Sequence, residues 1–588
     1  MLLPRDYIVC DKIGYQTVME MVETSCKKFS KKVVMQMKVN DVYQKYTYED
    51  FWNNINHTAK ALRRHFFLPG DRAGVYSENR PEWGMSYMGI SRSGGIVVPL
   101  DAQLGPSELE YLMNDSKTKF IFTSRKCLEN VQEVFKSVKS LKKIICFDAQ
   151  EEDKNVIPFS KFLKMGENYK LPLMHKARPN HILAILYTSG TTGIAKGVML
   201  TQKNIIIDVE SACQMIRFDE NDTFLSVLPI HHSFEFTAGF IIPLYKGATI
   251  TYAESLKSKN ILDNIKETNV TIMLGVPLLF EKLYNGVLKA IKEKPLPVRL
   301  LFSSSMGIVR LTKKLMNKKI GQGVFRGLRE KAGMSTIRFF VSGGGPLRAD
   351  VAEAFDDLGL TILQGYGLTE TSPVITVSTL EHLNYYSVGL PLPDTEIRIN
   401  EPDENGIGEI IARGPMIMKG YYKNTKATRE VVKKGWIYTG DEGYIDKDGF
   451  VFITGRKKNI IVTQGGKNVF PEEIEFKLDA CKFILESMAY GLPASEKDRG
   501  EKVYAIIVPD YEAINEHGRV TAVKYDTPDK IENLISHEVK KVNFKLPVYK
   551  RISGYKIHSE ELMKTSTKKI KRYLYIEKLV KTENNKKQ

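Results

Sequence analysis

Along the first two thirds of the chain, short apolar runs of strand length alternate with stretches whose apolar residues recur at helical spacing. Ala73–Tyr76 is a β-type run that follows the turn Pro69-Gly70-Asp71. Pro81 then opens a helical stretch through Tyr87 to Ser91, which the pair Gly94-Gly95 stops. Ile96–Leu100 reads as a buried strand, Ser107–Asn114 as a helix and Lys119–Thr123 as a further strand. The alternation returns at Thr223–Leu228, Ala248–Tyr252, Thr271–Leu274, Ile337–Ser342 and Thr361–Gln364. Strands that alternate with helices predict a mostly parallel sheet covered on both faces. Beyond Tyr385 the texture changes. Glu396–Ile399, Gly408–Ala412, Trp436–Thr439 and Phe450–Ile453 are short β-runs divided by Gly, Asp and Asn turns, which predicts a β-rich subdomain. After Arg456-Lys457-Lys458 the pattern restarts: Val503–Val508 is strand-like, and Ile531, Leu534, Ile535 and Val539 share one helix face. The expected fold class is α/β. A large N-terminal domain, residues 1–457, holds parallel-sheet α/β subdomains and the β-rich part, and a small α+β C-terminal domain fills residues 458–588.

Composition narrows the function classes. At 588 residues the chain exceeds one simple core, and 43% hydrophobic with 26% charged residues is the balance of a soluble globular protein. Six widely spaced cysteines (Cys10, Cys26, Cys127, Cys146, Cys213, Cys481) form no C-x-x-C pair, so neither a disulfide framework nor a cysteine zinc site is expected, and a reducing cytoplasm is. The first residues, MLLPRDYIVCDKIGYQ, lack a signal-peptide core, and no run approaches the ~18 apolar residues of a membrane span. The net charge of +17 is uneven: from Lys540 onward 15 Lys and Arg face 4 Glu. Such a region suits an anionic membrane, a polyphosphate ligand or merely a solvated surface. No zinc finger, aromatic RNA-binding signature or basic heptad region accompanies it, so no nucleic-acid partner is expected.

Five segments are unusually dense in glycine and polar side chains. YTSGTTGIAKG, residues 187–197, fits G-x-x-x-x-G-K-[ST] in no register, and alone it suits a phosphate cradle and a polar surface loop equally. GYGLTETSP (Gly365–Pro373) follows a strand and offers Tyr366, Thr369 and Glu370. YTGDEGYIDKDG (Tyr438–Gly449) offers Asp441, the segment Gly455–Glu475 offers Arg456 and a glycine pair, and TSTKKIKR (Thr565–Arg572) offers Lys569 and Arg572. Each alone has an ordinary explanation as a turn, a cap or a solvated charge run. Together, in this order, they resemble the signature series of the adenylate-forming superfamily: acyl-CoA synthetases, peptide-synthetase adenylation domains and firefly-type luciferases. The resemblance spans residues 20 to 575. LPIHHSFE (Leu228–Glu235), LFEKLYNGVLKAI (Leu279–Ile291), FFVSGGGPL (Phe339–Leu347), the T-x-T-x-K-x-K-R ending and a lysine-rich helical insert between Lys282 and Ser335 are most similar to bacterial-type long-chain fatty acid–CoA ligases.

What the resemblance implies is a two-step, AMP-forming reaction: a carboxylate attacks the α-phosphate of ATP, then the thiol of CoA displaces AMP. Thr188, Ser189, Gly190, Thr191, Thr192 and Lys196 would hold the departing phosphates. Gly365 and Tyr366 would border the adenine, Thr369 would contact the α-phosphate and Glu370 would hold Mg²⁺. Asp441 would accept from both ribose hydroxyls, with Arg456 beside it. Lys569 would be the catalytic lysine of adenylation. The usual pattern has Gly before that lysine and this chain has Lys568, so the K-x-x-R spacing to Arg572 is what favours Lys569. Lys458 aligns with the hinge of the mobile C-terminal domain, and Gly465 with the pantetheine path. His232 aligns with a histidine near the carboxylate. Phe234, Phe236, Phe240, Ile242 and Leu244 form either an acyl-pocket wall or plain core. Ala195 stands where proline is usual before the loop lysine, which predicts a looser phosphate loop. The expected partners are a fatty acid, ATP, CoA and, peripherally, an anionic membrane at the inner face. Two alternatives stay open: a ligase for acyl carrier protein or for another carboxylate, and a basic membrane-binding protein on a degenerate ligase fold.

Overall fold

The computed structural model describes residues 7–173, 175–188, 195–316, 318–464, 467–493, 500–565 and 569–576. Ser189, Gly190, Thr191 and Thr192 of the phosphate loop, together with Gly465 and Lys568, lie outside the described residues. The chain divides into two compact units. The first comprises Met1–Ile397, Ala412–Ile437 and Asp448–Phe450; the second comprises Arg398–Ile411, Tyr438–Lys447 and Val451–Gln588.

Two large sheets frame the first unit. One has eight strands in the order Gly420–Tyr421, Lys196–Thr201, Ile182–Thr188, Ile96–Leu100, Arg72–Tyr76, Thr118–Thr123, Lys143–Cys146 and Val156–Pro158. Its pairings are parallel from Ile182–Thr188 outward to Val156–Pro158, while Lys196–Thr201 is antiparallel to both its neighbours. The other has nine strands, of which Ile362–Gly367, Phe339–Ser342, Ile272–Gly275, Thr223–Ser226, Thr249–Tyr252 and Val33–Val39 run parallel in that order. Antiparallel strands close it at both ends. The parallel strands are buried along nearly their whole length, as sheets covered on both faces must be. In these two sheets each expected strand begins within two residues of the observed one, and the largest difference at the other end is in Ile362–Gly367, which runs three residues past the expected Gln364. The five-residue run Ile96–Leu100 coincides with its observed strand, because Gly95 and Asp101 bound it sharply.

One apolar core joins the two sheets through helices Val18–Lys28, Tyr48–Arg64, Pro81–Arg92 and Gln202–Met215. Thr47 caps Tyr48–Arg64 reciprocally with Asp50, and Thr201 does the same for Gln202–Met215 with Asn204. Pro81 occupies the first turn of Pro81–Arg92, where its missing N–H costs nothing. Gly84 on that helix has no room for a side chain: a Cβ there would lie 2.6 Å from the Phe240 ring. Phe240 belongs to a π-helical stretch, Glu235–Ile241, that packs its aromatic rings on Trp83 and Tyr87. Phe236 and Phe240 are therefore buried in the aromatic core, while Phe234 is half-buried and faces Gly343.

Short strands follow the second sheet in sequence, with Glu396–Asn400, Gly408–Arg413, Trp436–Ile445 and Val432–Lys433 pairing in that order and Val451–Arg456 pairing with Trp436–Ile445. The second unit also contains a three-stranded sheet of Ile484–Pro493, Glu501–Pro509 and Ile552–Ile557. Its core includes the faces of helices Pro471–Asp479, Tyr511–Thr521 and Pro528–Lys545. On the last, Ile535, Val539 and Val542 are buried, four and three residues apart.

Candidate active site

In the first unit the strands on either side of the phosphate loop, Ile182–Thr188 and Lys196–Thr201, pair antiparallel. Thr188 ends one strand, Lys196 begins the next, and the two residues face each other in the antiparallel register. Lys196–Thr201 is also paired on its other side, Tyr421 opposite Val198 and Gly420 opposite Met199. That pairing sets Lys196 Nζ 5.3 Å from the centroid of the Tyr421 ring. Tyr421 is buried, and its hydroxyl donates to Glu370 Oε1 at 2.7 Å. Burial first, and then the Glu370 carboxylate, push the Tyr421 hydroxyl pKa up, so it acts as a proton-holding donor. The backbone N–H of Met418 donates to the Glu370 carbonyl at 2.8 Å. A segment that begins about fifty residues after Glu370 thus ties it to Lys196.

Glu370 and Thr369 lie in a one-turn 3₁₀ helix, Thr369–Thr371, directly after strand Ile362–Gly367. Thr371 Oγ1 accepts from Leu368 N and donates to the Leu368 and Pro373 carbonyls, which folds the segment back on itself. Gly367 is required here, because a Cβ would stand 1.8 Å from the Pro373 carbonyl oxygen. Gly365 and Tyr366, both half-buried, pair with Val377 and Thr376 at the end of the same strand. Ser233 Oγ donates to Thr369 Oγ1 at 3.3 Å, so the loop carrying His232 reaches the same place. Lys196, Glu370, Thr369 and the His232–Ser233 loop are in this way linked through Tyr421, Met418 and Ser233. Carboxylate and hydroxyl oxygens of this kind are the hard donors that suit Mg²⁺, which takes a carboxylate together with substrate phosphates and water.

The His231 and His232 rings lie 4.2 Å apart, tilted by 39°, and His231 Nε2 stands 3.6 Å from Asp101 Oδ2. Burial lowers the His231 pKa and outweighs the opposing pull of Asp101. One ligand atom from each of Asp101, His231 and His232 fits within 4.8 Å. Next along the chain, Glu235 is buried, and its Oε1 accepts from Ser226 Oγ at 2.6 Å.

In the second unit, Asp441 and Arg456 face each other across the hairpin, and Arg456 Nε lies 2.8 Å from Asp441 Oδ1. Asp441 is buried while Arg456 is exposed, so the carboxylate is aimed by its neighbour. Asp441 N donates to Thr439 Oγ1 at 3.1 Å, and Gly440 N donates to Glu409 Oε1 at the same distance. Lys458 is exposed in the 3₁₀ turn Lys457–Asn459 immediately after Arg456. Lys569 is exposed too, held by its backbone: its N–H donates to Thr565 Oγ1 and its carbonyl accepts from Thr565 N. Three residues on, Arg572 anchors this segment, donating to Glu475 Oε1 at 2.6 Å and to the Ala489 carbonyl at 2.9 Å.

Residues 22–422 match the family described as AMP-binding enzyme. The chain belongs to that family. It is similar to Long chain acyl-CoA synthetase 7, peroxisomal, of Arabidopsis thaliana, 29% identical over 510 residues that cover 82% of this chain and 71% of the relative. Long chain acyl-CoA synthetase 1 of the same plant is 30% identical over 504 residues, 80% of this chain and 74% of the relative. Among solved structures, the anthranilate CoA ligase AuaEII in complex with anthranoyl-AMP superposes with a TM-score of 0.77 at 20% identity, covering 97% of this chain and 98% of that one. The fold is that of the adenylate-forming ligases, and the α/β expectation holds.

Tyr421, Met418, Ser233 and Glu235 are the members of these constellations that local sequence patterns did not single out for a role. Each acts through a partner distant in the chain or through burial, and neither leaves a short motif.

Proposed function

We propose that the protein is an AMP-forming long-chain fatty acid–CoA ligase. The observation that carries this most is the meeting of a cation, Lys196, and a carboxylate, Glu370, on the single tyrosine Tyr421, beside the antiparallel strands that bracket the phosphate loop, in a family described as AMP-binding. The long-chain acyl-CoA synthetases among its relatives support the substrate class.

In the first half-reaction a carboxylate oxygen attacks the α-phosphorus, and the bond to the β-phosphate oxygen breaks. The nucleophile is already an anion, so no base is needed; positioning and neutralisation of charge carry the catalysis. Thr188 and Lys196, with the loop they bracket, hold the leaving pyrophosphate. Glu370 would hold Mg²⁺, which neutralises phosphate charge, and Thr369 donates to the α-phosphate. Tyr366 and Gly365 border the adenine, and Asp441 takes the ribose hydroxyls with Arg456 holding it in place. His232 sits by the carboxylate, and Lys569 bridges that carboxylate and the α-phosphate. In the second half-reaction the CoA sulfur attacks the acyl carbonyl carbon, the thiol proton is lost, and AMP leaves with the carboxylate oxygen. The C-terminal domain swings about Lys458 to withdraw Lys569 and admit CoA past Gly465. The enzyme works in the cytoplasm and associates peripherally with an anionic membrane, where its substrate dissolves.

The test is AMP release that depends on fatty acid, measured over a series of chain lengths with CoA and with acyl carrier protein as acceptors. Turnover of long-chain acids with CoA is expected. Turnover with carrier protein alone would reassign the acceptor, and no turnover with any fatty acid would overturn the assignment.

A further inference from the structure

Helix Leu296–Met316 is 21 residues long, yet Val309 is its one fully buried side chain. On one side Phe302, Met306 and Val309 pack in a small apolar cluster with Phe325, Leu358 and Val287. On that same side Lys313 is paired with Asp356 at 2.7 Å and, at the cluster's edge, Arg310 with Asp357 at 2.7 Å, so the helix is pinned. The opposite side is apolar as well. Leu300, Leu301, Ile308, Leu311 and Leu315 are 57–71% exposed. At 3.6 residues per turn these five fall within an arc of about 100°, and at 1.5 Å per residue they form a ridge about 22 Å long. A helix that is apolar on its core side and again on its solvent side has a second partner to meet.

Charge says what that partner is. Residues 289–331 carry twelve Lys and Arg against two Glu, a denser excess than that of the C-terminal region. Lys292, Lys294 and Arg299 are exposed at the N-terminal end of the ridge, and Lys314 and Lys318 at the other. An aliphatic ridge with cations at both ends has the composition of a helix that lies in a membrane interface. The ridge carries no Trp or Tyr of the sort that anchors protein interfaces, and a second copy would bring the same positive charge against it. No helix among the described residues is long and apolar enough to cross a membrane, so the geometry is that of a surface contact.

We propose that the outward face of helix Leu296–Met316 is the surface by which this protein docks on an anionic lipid bilayer. This deepens the membrane association proposed above and is independent of the ligase chemistry. The aliphatic side chains enter the acyl boundary and the flanking lysines and arginines meet the anionic headgroups.

The test is flotation of the full chain with vesicles of equal parts phosphatidylcholine and phosphatidylglycerol, against phosphatidylcholine alone. Wild type is expected to float with the anionic vesicles only. The variant Leu301→Glu/Ile308→Glu/Leu315→Glu should lose roughly tenfold or more of that binding, as loss of apolar insertion beside anionic headgroups demands. Its circular dichroism spectrum and urea unfolding midpoint should match those of the wild type, which shows that it is folded. As a second probe, Ile308→Trp should shift its emission to the blue when anionic vesicles are added. If wild type fails to float, membrane association itself is wrong, whatever the ligase assay shows. If wild type and the Glu variant float equally and the tryptophan does not respond, the association stands and this helix is not its surface. If wild type is a dimer that the Glu variant dissolves without any effect of vesicles, the occupant is a second copy.

Discussion

The carboxyl group of Glu235 is 1% exposed at the start of the π-helical stretch Glu235–Ile241. Its Oε1 accepts from Ser226 Oγ, its Oε2 has no partner among the described residues, and Gly239 packs so close that a Cβ there would lie 2.7 Å from the carboxyl. Burial raises its pKa from 4.5 to about 8, against the opposing Ser226 hydrogen bond. The folded chain therefore keeps a proton that the unfolded chain releases above pH ~4.5. Its contribution to stability is fully present below that pH, falls as pH rises, and levels off above about 8. At pH 7 the difference is two and a half units at about 1.4 kcal/mol each, roughly 3 kcal/mol. Glu235→Gln places an amide where the protonated acid was and cannot ionise. The variant should match wild type near pH 4.5 and exceed it by about 1.4 kcal/mol for each further pH unit up to about 7.5. Urea unfolding followed by tryptophan fluorescence measures this, since Trp52, Trp83 and Trp436 all lie in the first unit. A stability difference that does not change with pH, or one that shrinks as pH rises, would refute the reasoning.

Three further outcomes follow from the site. Lys569→Ala should cut acyl-adenylate formation by about 10²-fold or more, as loss of a transition-state charge contact does, while thioester formation from supplied acyl-adenylate persists; equal loss of both steps would remove Lys569 from its role. Tyr421→Phe deletes a hydrogen bond to a carboxylate worth about 1.5–3 kcal/mol, so the unfolding free energy should fall by about that much, and single-turnover adenylation by the folded variant should slow by roughly tenfold or more because Glu370 loses the contact that orients it. Arg572→Gln strands the Glu475 carboxylate, 12% exposed, and should destabilise the second unit by about 3–5 kcal/mol; proteolytic susceptibility of that unit reports it, and Arg572→Lys should rescue only part, because a point charge cannot serve both Glu475 and the Ala489 carbonyl.

The strands and helices of the first unit were legible because their boundaries are written in local chemistry. Pro81 starts a helix, Gly94-Gly95 ends it, and Ile96–Leu100 is too short and too apolar to be anything but a buried strand. Where local chemistry misleads, tertiary pairing has won. Gly440-Asp441 looks like a turn, yet strand Trp436–Ile445 runs straight through it, because Arg456 and Phe452 pair across and an irregularity at Glu442–Gly443 absorbs the strain. The π-helical winding at Glu235–Ile241 leaves no trace in an apolar pattern that suits a helix of any pitch. The links among the site residues were the least legible part. Tyr421 meets Glu370 across 51 positions and Arg572 meets Glu475 across 97, so no spacing rule finds either pair. The lysine-rich insert is helical, as its pattern predicts, but only the exposure of each leucine separates a core stripe from a docking face.

The central claim is that a carboxylate attacks the α-phosphate of ATP and that the bridging oxygen stays with AMP. A fatty acid labelled with ¹⁸O in both carboxylate positions, turned over with ATP and CoA, tests it directly by mass spectrometry of the nucleotide and phosphate products. The account predicts one ¹⁸O in AMP and none in pyrophosphate. Label in inorganic phosphate, with ADP as the nucleotide product, would show an acyl-phosphate route and contradict it.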